Sequence, residues 1–153
     1  MRGRAYDRPF IDIGVPQDLA RAHAFVAAVL TRPAVVFTRA ALIRAISAEQ
    51  IVWCDGAAEA IKAVNDAGLF AFLQNDGQKS AALRQAGFAP ALVAAGAHLD
   101  AVFEGPPPWP AGPLRIAAVR TIDKCSESGA ATESLFARAG VAIEQLADAS
   151  GGR

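Results

Sequence analysis

Ala34-Val35-Val36-Phe37, stopping at Thr38-Arg39-Ala40, and Leu69-Phe70-Ala71-Phe72-Leu73, stopping at Gln74-Asn75-Asp76-Gly77, decide how this chain is read. Each is a short unbroken apolar run that ends in a polar break. Between them lies Ala57-Ala58-Glu59-Ala60-Ile61-Lys62-Ala63-Val64-Asn65-Asp66-Ala67, apolar at helical spacing and closed by Gly68. Runs of this length suit strands buried on both faces, and two of them joined through a helix predict a parallel sheet with crossover helices. Ile51-Val52-Trp53 reads as part of the connection. In such sheets ligands lie beyond the carboxyl ends of the strands. Thr38, Gln74 and Asn75 are therefore the first candidates for chemistry.

Outward from this centre, residues 101–103 and 114–122 supply further strands, giving an α/β domain over residues 33–148. Short helices are expected over 78–85, closed by Gly87, and from Pro90 to a Gly96 cap. A last helix runs through Glu133, Leu135 and Phe136 to Arg138, ended by Gly140. Residues 149–153 read as a disordered tail. Residues 1–32 form a strand-turn-helix appendage. Pro16 suits a first helical turn, where its missing N–H costs nothing. Leu19, Ala22, Phe25, Val26, Val29 and Leu30 then recur on one face, and Pro33 forces the helix to end before it.

Composition narrows the function classes. A chain of 153 residues, 53% of them apolar, is long enough to bury one core. Fifteen basic and fifteen acidic residues leave a formal net charge of zero. This gives no electrostatic basis for nucleic-acid or membrane-surface binding. No apolar run has the length of a membrane span, and the first residues lack the pattern of a signal peptide, so a cytoplasmic location is expected. Cys54 and Cys125 are too far apart for metal-ligand spacing and read as reduced thiols. His23 and His98 have no second ligand nearby and read as partly buried, hydrogen-bonded histidines.

Pro33-Ala34-Val35-Val36-Phe37-Thr38-Arg39-Ala40-Ala41-Leu42-Ile43-Arg44 resembles the first motif of haloacid dehalogenase (HAD) superfamily phosphatases. The resemblance is to the branch acting on D-glycero-D-manno-heptose 1,7-bisphosphate and histidinol phosphate. Residues 49–61 match that branch's run into its first long helix, and residues 94–103 match the strand before its metal loop. The implied fold is a three-layer, Rossmann-like domain. The implied function is sugar-phosphate hydrolysis in the pathway to the lipopolysaccharide inner core or related glycans. Phe10-Ile11-Asp12-Ile13-Gly14-Val15-Pro16 resembles the closing segment of sugar-phosphate nucleotidyltransferases, in which an aspartate matching Asp12 helps hold the catalytic metal. The plainer reading of Asp12 is a turn residue in a linker.

The departures fall on the chemistry. The family attacks phosphate with the first aspartate of Asp-x-Asp and moves protons with the second. Those positions are Thr38 and Ala40 here, so impaired or absent catalysis is expected. Gln74 stands where the family has a phosphate-orienting Thr or Ser, and Asn75 at the following Asn; both also suit a solvated turn. Lys79 is a further phosphate-binding candidate. Asp123 and Glu127 keep the four-residue spacing of the family's Mg²⁺-binding acids. Equally, they suit the charged start of a helix. The zinc loop of the branch maps onto residues 104–113, which contain neither Cys nor His, so no zinc is expected. Arg115 is not assigned the role of the family's third-motif lysine. The competing class is a non-catalytic module that binds a phosphosugar or pairs with a homologous subunit, or else a decaying gene product.

Overall fold

The computed structural model describes residues 31–47, 50–77, 83, 86, 89–107, 115–124 and 133–151, together with Arg21, Ala22, Ala24, Phe25 and Val29. In chain order the elements are β1 (Thr31–Thr38), α1 (Arg39–Leu42), β2 (Ile43–Ile46), β3 (Ile51–Trp53) and α2 (Ala57–Asp66). They continue with β4 (Phe70–Asn75), α3 (Pro90–Ala95), β5 (Ala101–Glu104), β6 (Arg115–Ile122) and α4 (Leu135–Gly151). The architecture is mixed α/β, with an all-parallel four-stranded sheet in the order β5-β4-β1-β6.

The apolar runs are continuous because both faces of the central strands are covered. Side chains alternate across a strand, and the core divides accordingly. Val35, Phe37, Ala71, Leu73 and Ile122 join Ile61 and Val64 of α2, Leu92 of α3 and Leu146 of α4 in one cluster. Ala34, Val36, Phe70, Phe72 and Phe103 form a second cluster on the opposite face. There Phe72 stacks on Phe70 at 5.5 Å and meets Phe103 edge-on at 5.0 Å. Fully burying side chains of this size contributes about 1.5–3 kcal/mol each, so β1 and β4 anchor the fold.

β1 begins at Thr31, two residues before Pro33, although the sequence suggested that Thr31 and Arg32 close a helix. The strand tolerates this proline through an irregularity. Its register against β6 shifts between Arg32 and Ala34, where proline has no N–H to give the ladder. Upstream, Arg21, Ala22, Ala24, Phe25 and Val29 are helical and Ala22 is buried, as the apolar spacing implied. Asp12, His23 and the proposed N-terminal strand and turn lie outside the described residues.

Four further expectations need correction. The segment after Thr38 is a helical turn, α1, followed by an antiparallel hairpin of β2 and β3 rather than a plain connection. β4 runs to Asn75, so Gln74 and Asn75 belong to the strand and not to a solvated turn. Gly140 does not end the last helix, because α4 continues to Gly151 and takes in the first residues of the supposed tail. His98 is mostly exposed, its side chain 57% accessible and its Nε2 3.4 Å from Asp100 Oδ1. By contrast α2 closes as expected, with Gly68 at φ +74, a conformation that glycine adopts without the penalty of a Cβ.

Candidate functional site

All four strands of the sheet run the same way, so β1, β4, β5 and β6 present their carboxyl ends on one edge. The chain passes from β1 outward to β4 and β5, then returns to the other side of β1 for β6. The topology therefore switches direction between β1 and β6. In open parallel sheets this crevice is where ligands bind.

Thr38 and Asp123 occupy it. Phe37 pairs with Ile122, so the next residue on each strand emerges beside the other. The Thr38 hydroxyl donates to Asp123 Oδ1 at 2.7 Å, and the backbone N–H of Lys124 donates to the same oxygen at 2.7 Å. The Thr38 hydrogen bond and then the Lys124 N–H hold the Asp123 carboxyl below its ordinary value; burial opposes them, and the charge of Arg138 adds the least. The carboxylate is thus kept ionised.

Arg39, the first residue of α1, reaches across to the loop after β4. Its Nε and Nη2 donate to the two oxygens of Asp76 at 2.7 and 2.5 Å, a bidentate pair that raises the guanidinium pKa. On the hairpin side Arg44 lies 3.2 Å from Asp55. Arg39, Ala40, Ile43, Arg44, Cys54 and Lys124 line a cavity of about 430 Å³ beside the crevice. The lining is cationic, with the free thiol of Cys54 and the methyl of Ala40 among its neutral parts.

The residues singled out in the sequence separate into groups. Thr38 and Asp123 are brought together, and Ala40 stands in the adjoining cavity wall. Gln74 sits beside Thr38 in the β1–β4 register. Asn75 is 1% exposed and serves the scaffold: its Nδ2 donates to Glu104 Oε1 at 2.9 Å, and its Oδ1 accepts from the Asp76 N–H at 3.0 Å. Its amide bridges β4 to β5. Lys79, Glu127 and Cys125, with most of the proline loop, lie outside the described residues.

Arg39, Arg44 and Lys124 are the site residues that the sequence reading did not single out. Arg44 reaches the cavity only because β2 and β3 fold into a hairpin, and a four-residue strand is too short to give more than a faint periodic signal.

Of the two acids that the family resemblance implies for Mg²⁺, Asp123 is described and Glu127 is not. Asp123 makes no salt bridge among the described residues, and its Oδ1 already accepts two hydrogen bonds. Asp76 and Asp55 are paired to Arg39 and Arg44. No group of three His, Cys, Asp or Glu among the described residues is arranged to hold a metal ion. A hard divalent cation seeks several oxygen ligands, whereas the charged residues lining the cavity are Arg39, Arg44 and Lys124.

Compared with protein-family models, curated proteins and solved structures, the chain matches none. Among the described residues no helix is long and apolar enough to cross a membrane.

Proposed function

We propose that this chain is a HAD-like, three-layer domain of the heptose-bisphosphate phosphatase type that has lost hydrolysis and keeps a site for a phosphorylated sugar. The observation that carries the reading is the Thr38–Asp123 contact at the β1–β6 switch point, beside a cationic cavity. Ligand placement in parallel sheets favours that crevice, and the cations supply what a phosphate group requires.

The same contact argues against turnover. A hydroxyl nucleophile needs a base strong enough to take its proton as it attacks. Asp123 accepts the Thr38 proton in a hydrogen bond, yet its own pKa is lowered, which makes it a weaker base than an ordinary carboxylate. Ala40 has no group that moves a proton to a leaving alcohol. Positions 38 and 40 therefore supply neither a competent nucleophile nor the acid for its partner step.

Two measurements on the purified protein test this reading. With heptose bisphosphate or an aryl phosphate and Mg²⁺, hydrolysis should not exceed that of a mock purification. Turnover abolished by Asp123→Asn would overturn the loss of catalysis. In thermal melts a phosphosugar should raise the midpoint, since a ligand that binds only the folded state stabilises it by RT ln(1 + [L]/Kd). Cooperative melting with no shift at millimolar ligand would overturn the binding site.

A further inference from the structure

We infer that the cavity takes its anionic ligand without a divalent metal, through Lys124 and Arg44, and that the ligand displaces Asp55 from Arg44. The inference rests on the reading of this edge as a phosphosugar site and specifies how that site works.

Three cations line the cavity, and they are engaged differently. Arg39 is held at both ends of its guanidinium by Asp76, with its side chain only 27% accessible. A bidentate, partly buried pair of this kind is strong and geometrically fixed, so Arg39 shapes the wall and stays with Asp76. Arg44 and Asp55 meet at 3.2 Å with side chains 61% and 96% accessible. Exposed pairs contribute little, typically under about 1 kcal/mol. Arg44 is therefore readily transferred to a better acceptor. Lys124 has no ion pair among the described residues, and its backbone is fixed by the bond from its N–H to Asp123.

A phosphate monoester carries up to two negative charges and three acceptor oxygens, against one charge and two oxygens on Asp55. It outcompetes the aspartate for Arg44 and neutralises Lys124 at once. Asp123 adds a single negative charge to the crevice, already satisfied by Thr38 and the Lys124 N–H. The cationic lining thus supplies the countercharge that Mg²⁺ supplies in a carboxylate-rich site. Because Arg44 belongs to β2 and Asp55 follows β3, exchange of this pair couples ligand binding to the end of the hairpin.

Calorimetric titration of the full chain with glucose 6-phosphate and with inorganic phosphate tests this, once in EDTA and once in Mg²⁺. Affinity should agree between the two buffers within about twofold and fall with added salt. Lys124→Ala and Arg44→Ala should each weaken binding by about tenfold or more, as loss of a charged hydrogen bond implies. Asp55→Asn should tighten it. Binding that requires Mg²⁺ and is lost in Asp123→Asn overturns the inference while leaving a phosphosugar site. Binding indifferent to both Lys124→Ala and Arg44→Ala in cooperatively melting variants overturns it as well. No binding of either probe to folded protein in either buffer overturns the inference together with the site.

Discussion

Thr38, at the end of β1, donates its hydroxyl to Asp123 Oδ1, just beyond β6, at 2.7 Å across 85 residues of chain. The contact follows from strand order and register. β6 returns to pair beside β1 after the chain has built β4 and β5 on the other side, and Phe37 opposite Ile122 fixes which residues emerge together. The hydroxyl at position 38 is the donor that does most to hold the Asp123 carboxyl below its ordinary value.

Thr38→Val should therefore raise the Asp123 pKa toward the ordinary carboxylate value of about 3.9, because it removes the largest cause of the depression. Native Asp123 has a lowered pKa, so its contribution to stability is complete above the unfolded-state value. It is lost as pH falls through the folded-state value. Asp123 is exposed, and solvent screening keeps this contribution below about 1 kcal/mol. The stability gap between wild type and Thr38→Val that arises from Asp123 should be present near neutrality and close in acid. Carboxyl NMR titration checks it directly; an unchanged Asp123 pKa in the variant contradicts the assignment.

Thr38→Asp makes the converse test of the electrostatics. It removes a donor and places a second carboxylate against Asp123, where like charges repel. The melting temperature should fall in EDTA and recover in millimolar Mg²⁺, since two adjacent carboxylates begin to form a hard-cation site. The wild-type melting temperature should be indifferent to Mg²⁺. A variant as stable as wild type in EDTA would show that position 38 is not in contact with the Asp123 charge.

What was legible in the sequence was what local pattern dictates. Unbroken apolar runs at 34–37 and 69–73 identified strands covered on both faces, and the spacing of Ile61 and Val64 identified the packed face of α2. The Thr38–Asp123 meeting was implied by the carboxyl-end rule, though not its hydrogen bond. The hairpin was not legible, because β2 and β3 are four and three residues long and only partly buried, so neither builds a periodic signal. Asn-Asp-Gly is strong turn chemistry, yet Asn75 ends β4; its tertiary partner Glu104 lies 29 residues away and ties the amide into the sheet. Arg39 and Arg44 were passed over for the same reason: Asp76 and Asp55 give them meaning only in three dimensions.

Asn75→Ala should show that Asn75 is part of the scaffold. Removing its amide leaves the buried end of β4 without its link to Glu104 and the Asp76 N–H without its acceptor. Stability should fall by about 1–3 kcal/mol, the usual result of breaking buried hydrogen bonds, and denaturant unfolding measures it. Phosphate affinity of the folded fraction should be unchanged. Weakened affinity at unchanged stability would instead put the amide in contact with ligand.

Gly140→Ala tests the course of the last helix. Glycine after Arg138-Ala139 suggested a helix end, where a left-handed residue would make alanine costly. In the structure Gly140 lies inside α4, has no positive φ, and a Cβ added there meets nothing within 4 Å. Alanine lowers the entropy of the unfolded chain and favours the helix, so the substitution should stabilise the protein by about 0.5–1 kcal/mol. That corresponds to a rise of about 1–4 °C in melting temperature for a domain of this size. Gly96→Ala is the matched control: Gly96 caps α3 at φ +71 with Lys62 Cε at 3.9 Å from an added Cβ, and alanine there should destabilise. If Gly140→Ala instead lowers the melting temperature as Gly96→Ala does, Gly140 terminates a helix and α4 does not run unbroken to Gly151.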